Sequence, residues 1–196
     1  MPGSTAPLPW TPASLRACVA AYEQVAAHRA WLGLPLVSSK APDLDGWAHL
    51  AAEQSIGAGL GLDPGLVHAL AEFVGDWRGI LDGDVLVHSD VRADNLLLSP
   101  SGAVVVDWSF GAGGTAWHDL AQLALDVLVD GTEAAQRDAV SLLDQLGTDG
   151  RRLAAAVCGM LTWNSTLPGH VGLPTFRDWQ RHRATATHQW LPQLLF

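Results

Sequence analysis

Apolar residues recur every three or four positions through the first part of the chain, which is the spacing of helices with one buried face. A first helix is predicted from Ala13 to about Leu32, with Thr11-Pro12 supplying its N-cap and first position. Residues 33–46 contain Pro, Ser and Gly and are predicted to form a loop. Two further helices are expected, one over roughly Trp47–Ile56 and one from Asp63-Pro64 to about Leu81.

The pattern then changes to short apolar runs, which are typical of strands. These runs are Val85–Val87, Asn95–Leu98 and Ala103–Val106. Ser99-Pro100-Ser101-Gly102 separates the last two and has the composition of a turn, so a hairpin is predicted. The following Gly111–Gly114 is predicted to be a flexible loop, since no Gly-Lys-Ser/Thr follows to complete a Walker phosphate loop.

Helical spacing returns over residues 116–130, 133–146, 150–164 and about 174–194. Helices, a small β patch and again helices predict an α+β fold that is mainly α-helical, and not an alternating βαβ sheet. The 196 residues, 48% of them hydrophobic and 16% charged, suit one compact domain. We expect residues 1–12 to form an extended lead-in and residues 13–196 a single domain.

The charge and the cysteines exclude several classes of function. A net charge of −9 with eleven basic residues argues against a nucleic-acid partner, whose phosphates need Lys and Arg. Such an acidic surface suits solubility, which is the favoured interpretation, and it would also attract a cationic small molecule. Cys18 and Cys158 have neither the spacing of a disulfide framework nor that of a zinc site. We expect no membrane span and no secretory signal, and therefore a cytoplasmic location.

The residues with the most chemical information lie in the β patch, in His88-Ser89-Asp90-Val91-Arg92-Ala93-Asp94-Asn95 and in Val104-Val105-Val106-Asp107-Trp108. Asp90 follows a short strand, and Asp107 ends the second strand of the predicted hairpin. Antiparallel pairing would bring Asn95 close to Asp107. Their oxygens would form a pocket of the hard-ligand type that Mg²⁺ prefers, completed by phosphate oxygens and water.

HSDVRADN followed by VVVDW resembles the HxDxxxxN catalytic loop and the metal-binding Asp of protein kinases, in the form used by the aminoglycoside phosphotransferase and choline kinase-like family. Trp117-His118-Asp119-Leu120-Ala121 is similar to the family's further Asp at the start of a helix. The stretch from Gly172 to Leu191 resembles the last helix of some members, so the resemblance covers roughly residues 9–195.

The resemblance implies a role for each matching residue. Asp90 would accept the proton of the substrate hydroxyl as it attacks the γ-phosphate of ATP, and Asn95 and Asp107 would hold Mg²⁺ at the nucleotide. Arg92 would offset charge on the transferred group. His88 is expected to orient the loop through hydrogen bonds, and Asp119 to brace it.

Each role has a structural alternative. Asp90, Asn95 and Asp107 are residue types that are common in turns, although their joint spacing favours the functional interpretation. Arg92 is equally compatible with a surface salt bridge. Asp119 is as compatible with an ordinary helix cap as with a brace.

A complete enzyme of this family begins with a small, mostly β lobe, which supplies a loop over the phosphates and a strand lysine paired with a helix glutamate. Here the first candidate strand follows residue 80, and the single lysine, Lys40, falls in the predicted loop. The sequence therefore predicts the large, C-terminal lobe of the protein kinase-like fold, with the small β-hairpin patch bearing the catalytic and metal loops. A second chain or an upstream segment would have to supply or cover the nucleotide site.

Two functions remain open on this basis. The first is an ATP- and Mg²⁺-dependent phosphotransferase that acts on a hydroxyl of a small molecule, aminoglycoside-like or other. The second is a non-catalytic family remnant that acts as a binding or interaction module, or a truncated gene product.

Overall fold

The computed structural model describes residues 4–31, 33–169 and 171–195. These residues form a mainly helical protein with two small antiparallel sheets. The helices are α1 Pro12–Ala26, α2 Val37–Lys40, α3 Gly46–Ala52, α4 Gln54–Gly59, α5 Pro64–Val74, α6 His118–Asp130, α7 Glu133–Asn164, α8 Phe176–His188 and α9 Leu191–Leu195. The strands are β1 Ser4–Thr5, β2 Val85–Val87, β3 Leu96–Ser99, β4 Gly102–Val105 and β5 Ala112–Gly114.

Two compact units divide the chain between them. The first contains Met1–Ala41 and Arg78–Gly150, and the second contains Pro42–Trp77 and Arg151–Phe196. No helix among the described residues combines the length and the apolar character that crossing a membrane requires.

The start of α1 follows the predicted capping pattern. The Thr11 hydroxyl accepts the Ser14 N–H at 3.2 Å, and the Ser14 hydroxyl accepts the Thr11 N–H at 2.9 Å, which makes a capping box. The predicted end at about Leu32 is wrong, because α1 stops at Ala26. Residues 28–30 instead pair with the chain around β2, where the Leu86 N–H donates to the His28 carbonyl at 2.8 Å. Leu32 itself lies outside the described residues.

The predicted hairpin is confirmed with strand limits shifted by one residue. Leu96 pairs with Val105 and Ser99 with Gly102, and β1 adds to the other side of β3 to give the strand order β1-β3-β4. The first strand therefore precedes residue 80, contrary to prediction, although it has only two residues and falls in the predicted extended lead-in.

The prediction of a flexible loop at Gly111–Gly114 is wrong, because Ala112–Gly114 is strand β5 and pairs with β2. Glycines in β5 and just before β2 permit neighbouring segments to approach closely. A Cβ on Gly83 would lie 2.2 Å from the Gly114 carbonyl oxygen, and a Cβ on Gly114 would lie 2.8 Å from Cγ2 of Val37. A side chain at either position would separate these segments.

The loop predicted for residues 33–46 contains the short helix α2. The Ser38 N–H and hydroxyl both donate to the Asp82 carboxylate, at 2.9 and 2.6 Å, and Val37 is buried. Contacts distant in the sequence fix this turn of helix, so local composition could not predict it. Lys40 is the exposed last residue of α2, and not a loop residue.

In the second unit, the predicted helix at Trp47–Ile56 is divided into α3 and α4 at Glu53. The Asp63 cap is confirmed, since its carboxylate accepts the Leu66 N–H at 2.8 Å. The helix ends at Val74 and not at about Leu81, because Gly75 adopts a φ of 47°. Trp47 is buried and its indole N–H donates to the Ala155 carbonyl at 2.7 Å.

The remaining predicted helices are present with different limits. The break predicted between residues 146 and 150 occurs inside α7 at Gly147, whose φ is 71° and ψ −161°. The single helix predicted for residues 174–194 is two helices, α8 and α9, with Pro192 in the first turn of α9. A proline has no N–H to donate to the preceding turn, so it is suited to a helix start.

The close approach of Gly83 to Gly114, the last residue of β5, leads to a stability prediction. We expect Gly83→Ala to lower the free energy of unfolding by about 1–3 kcal/mol, because a backbone carbonyl cannot rotate away from the new methyl group. Gly59→Ala is the control, since a Cβ there meets no atom within 4 Å. It should leave stability unchanged or raise it by up to about 1 kcal/mol. Urea unfolding followed by tryptophan fluorescence compares the two, and equal stabilities would contradict the prediction.

Candidate active site

The loop from His88 to Asn95 connects β2 to β3 and lies beside the β3–β4 hairpin. The Asn95 carbonyl accepts the Val106 N–H at 2.9 Å, which continues the hairpin pairing by one residue. Asp107 follows Val106 directly. The end of the hairpin thus brings together the loop and the acidic residue that the sequence singled out.

Asp119, near the start of α6, fixes the backbone of the loop. Its Oδ2 accepts the His88 N–H at 2.7 Å and its Oδ1 accepts the Ser89 N–H at 2.9 Å. The side chain is buried, with a residue exposure of 4%. These bonds are the contacts that a brace requires, and Asp119 makes no side-chain cap of its own helix.

Ser89 adopts a left-handed backbone conformation with a φ of 65°. Left-handed φ values cost an L-residue roughly 1–2 kcal/mol, and glycine avoids this cost. The Ser89 hydroxyl is also buried without a hydrogen-bond partner among the described residues. The two bonds to Asp119 therefore stabilise a backbone that Ser89 itself disfavours.

His88 connects the loop to the hairpin through its ring. Nε2 lies 2.9 Å from the Val106 carbonyl oxygen, and Nδ1 lies 3.4 Å from the Asp90 backbone nitrogen. A carbonyl only accepts, so Nε2 bears the proton and Nδ1 accepts the Asp90 N–H. The fully buried ring also packs edge-on against Trp108, with centroids 5.0 Å apart. The contacts of His88 are those of a residue that orients the loop.

Asp90 is oriented by Asn95. The Asn95 side-chain amide donates to Asp90 Oδ2 and to the Asp90 carbonyl, both at 2.9 Å. Since both partners are oxygens, the NH₂ end of the amide must face Asp90 and its oxygen must face elsewhere. Asn95 is buried, whereas the Asp90 side chain retains 26% exposure. The Asp90 carboxylate is thus held at a fixed orientation and remains open to solvent on one side.

Arg92 lies between two carboxylates. Its Nε is 3.2 Å from Asp94 Oδ1 and 3.7 Å from Asp90 Oδ1, although neither contact has hydrogen-bond geometry. The side chain is 44% exposed, so each ion pair contributes little to stability. Both interpretations of Arg92, as a salt-bridge residue and as a cation near the reacting group, fit this position.

Asp107 is exposed and adopts a left-handed conformation, with a φ of 59°. Hydrogen bonds from the Ser109 hydroxyl and backbone N–H hold the pKa of Asp107 below its usual value, with a smaller contribution from Arg92. The carboxylate is therefore ionised near neutral pH. The sequence interpretation missed Ser109, although an Asp with a Ser two residues later is a recognisable local turn pattern.

The residues around this end of the hairpin fit a hard divalent cation. Asn95 presents an amide oxygen that accepts no hydrogen bond among the described residues, and Asp107 presents an exposed, ionised carboxylate. Mg²⁺ is commonly bound through one or two protein groups of this kind, together with phosphate oxygens and water. Among the described residues, no group of three or more His, Cys, Asp or Glu side chains is arranged to hold a metal ion.

Comparisons with known proteins identify the family. The model of the phosphotransferase enzyme family matches residues 9–157, which is more than half of the chain. The chain belongs to this aminoglycoside phosphotransferase-like family. No curated protein matches the chain.

A solved structure that matches the chain is that of the macrolide 2'-phosphotransferase MphH from Brachybacterium faecium, in its apoenzyme form. It is 17% identical in sequence, with a TM-score of 0.47. The alignment covers 95% of this chain and 66% of that one, so this chain spans slightly less than two thirds of its length.

The strained Ser89 backbone predicts an order of stability for two variants. We expect Ser89→Gly to be more stable than Ser89→Ala by about 1 kcal/mol, because alanine keeps the Cβ that disfavours a positive φ. The alanine variant removes only the unpartnered hydroxyl and so serves as the control. Thermal and urea unfolding measure the stability of both variants. An alanine variant more stable than the glycine variant would contradict the inference that the Ser89 backbone is strained.

The Asp119 contacts predict a local loss of protection. Asp119→Asn replaces one acceptor by an amide donor, so one of the two loop N–H groups loses its partner. We expect the free energy of unfolding to fall by about 1–3 kcal/mol. Hydrogen exchange should become faster at His88 and Ser89. Asp84→Asn, at an exposed ion pair with Arg29, is the charge-matched control and should change stability by less than about 0.5 kcal/mol.

Proposed function

We propose that this protein is an ATP- and Mg²⁺-dependent phosphotransferase that acts on a hydroxyl group of a small molecule. The observation that supports this most is the partly exposed Asp90 carboxylate, oriented by the Asn95 amide at the end of the hairpin where Asp107 is located. The family supports phosphoryl transfer, and the residues support a base beside an oxygen-rich cation site.

In the proposed reaction, the acceptor hydroxyl oxygen forms a bond to the γ-phosphorus of ATP. The bond from that phosphorus to the β–γ bridging oxygen breaks, ADP leaves, and the hydroxyl proton passes to Asp90. Asn95 and Asp107 would hold Mg²⁺, which when bound would neutralise charge on the phosphate oxygens. Arg92 would add positive charge on the same side. His88 and Asp119 would act only by holding the loop.

The acceptor is proposed only as a hydroxyl compound. Aminoglycosides and amino sugars suit the chain's net charge of −9, because acidic proteins attract cations. We propose a cytoplasmic location, where ATP is available, and no nucleic-acid partner. Residues 13–196 are proposed to form one domain, the large lobe of a kinase-like fold.

A second candidate is a non-catalytic binding or interaction module. Lys40 favours it, because this single lysine is the exposed end of α2 and makes no ion pair among the described residues. An enzyme of this family pairs a buried lysine with a glutamate at the phosphates. If the lysine of the site comes from a second chain, the isolated chain would bind nucleotide weakly and transfer nothing.

Two variants separate the proposed roles. Asp107→Asn should weaken binding of ATP with Mg²⁺ by at least about tenfold, because it removes the charged ligand. Asp90→Asn should leave that affinity within about twofold and lower phosphate transfer by roughly 10²–10⁴-fold, because it removes a general base. Calorimetry measures the binding, and transfer from γ-labelled ATP is measured with aminoglycosides, amino sugars and other hydroxyl acceptors.

The control is Asp138→Asn, which removes an equal charge at an exposed ion pair with Arg16. It should match the wild type in both assays. The proposal for the isolated chain would be refuted if the wild type did not bind ATP with Mg²⁺. It would also be refuted if Asp107→Asn bound them as tightly as the wild type. Binding without transfer to any acceptor would favour the second candidate.

A further inference from the structure

The interior between α1 and α6 contains an unsatisfied polar group next to the loop. Tyr22 of α1 is 1% exposed, and its hydroxyl has no hydrogen-bond partner among the described residues. A buried hydroxyl without a hydrogen bond is destabilising, so a partner for it is expected. The Tyr22 hydroxyl has no role in the proposed chemistry.

The Tyr22 ring lies beside the catalytic loop. Its centroid is 6.4 Å from that of His88, whose ring fixes the Asp90 N–H and the Val106 carbonyl. The Tyr22 ring therefore lies beside the residue whose backbone N–H the Asp119 carboxylate accepts.

Two buried carboxylates lie on α6. Asp119 and Asp126 are seven positions apart and therefore share a helix face, with exposures of 4% and 3%. Asp126 Oδ2 accepts the buried Trp10 indole N–H at 3.0 Å. Burial raises the pKa of Tyr22 most, and the charge of Asp119 raises it next, ahead of Cys18, Asp126 and Asp90. Tyr22 therefore stays protonated and can donate.

Asp119 has acceptor capacity to spare. Each of its oxygens accepts one backbone N–H, and a carboxylate oxygen has two lone pairs. A donor and an acceptor that are both buried and close are commonly joined by one ordered water, which makes about three such bonds.

We propose that Tyr22 is a positioning residue of the catalytic loop, whose hydroxyl donates to one buried water that in turn donates to the Asp119 carboxylate. This contact holds Asp119 in the rotamer that accepts hydrogen bonds from the His88 and Ser89 N–H groups. Tyr22 touches neither substrate nor nucleotide, and it acts on Asp90 only through the loop. The consequence for catalysis rests on the proposed function, whereas the consequence for the loop does not.

The test is Tyr22→Phe, which keeps the ring and removes the hydroxyl. Hydrogen exchange at the His88 and Ser89 amides should become roughly three- to tenfold faster, the factor expected for the loss of one buried hydrogen bond. If the chain transfers phosphate, kcat should fall by a similar factor while the KM for ATP stays unchanged. A role in packing alone would move neither quantity.

The matched control is Thr162→Val, which removes a fully buried hydroxyl that donates to the Cys158 carbonyl at 2.8 Å. It should leave exchange at His88 and Ser89 as in the wild type. Unchanged exchange at both amides in folded Tyr22→Phe would overturn the proposal. If the wild type transfers no phosphate but Tyr22→Phe still exchanges faster at His88 and Ser89, the proposed function fails and the role of Tyr22 stands.

A second measurement does not depend on the variant folding. A high-resolution crystal structure of the wild type should show the Tyr22 hydroxyl within hydrogen-bond distance of an ordered water that also contacts the Asp119 carboxylate. A hydroxyl that bonds only to another group, or that lies in a dry apolar cavity, would overturn the proposal.

Discussion

The organisation of the site depends on one interaction, the grip of the Asp119 carboxylate on two successive backbone N–H groups. A loop that leaves a strand with a residue at a φ of 65° would relax unless something outside it fixed the backbone. Asp119 does this with a buried charge, and hydrogen bonds to charged acceptors are the stronger kind. Because α6 is packed through its buried residues, the loop takes its position from the core of its unit and not from its own sequence. The orientation of Asp90 follows from that.

The sequence predicted those features whose causes are local. The Thr11 cap and the Ser99–Gly102 turn depend on neighbours three residues away, and that turn sets the register of the pairing that joins the Asn95 and Val106 backbones. The end of α1 could not be predicted in this way. Residues 27–31 retain helical composition, yet residues 28–30 lie outside the helix because they pair with the chain near β2. Such pairing depends on tertiary contacts, and intrinsic helix propensity takes no account of these.

The glycines near β5 also show that residue type alone does not predict local structure. A run of Gly and Ala suggests flexibility, since glycine has the greatest conformational freedom to lose. Here the absence of a side chain is required by space, because Gly83 and Gly114 bring two backbones too close for a Cβ. The residue types alone do not distinguish the two cases. The distinction matters for the candidate site, because β5 is the partner of β2, the strand that the His88–Asn95 loop follows.

The candidate site residues were recognisable from their spacing, but their coupling was not. Asn95 was expected only as a metal ligand, whereas its amide has two functional ends. The NH₂ end donates to Asp90 twice, and a planar amide then fixes where its oxygen points. Any group that binds that oxygen also holds the N–H groups on Asp90. The orientation of the Asp90 carboxylate and the direction of the Asn95 amide oxygen are therefore set by the same side chain, and both change together when that side chain moves.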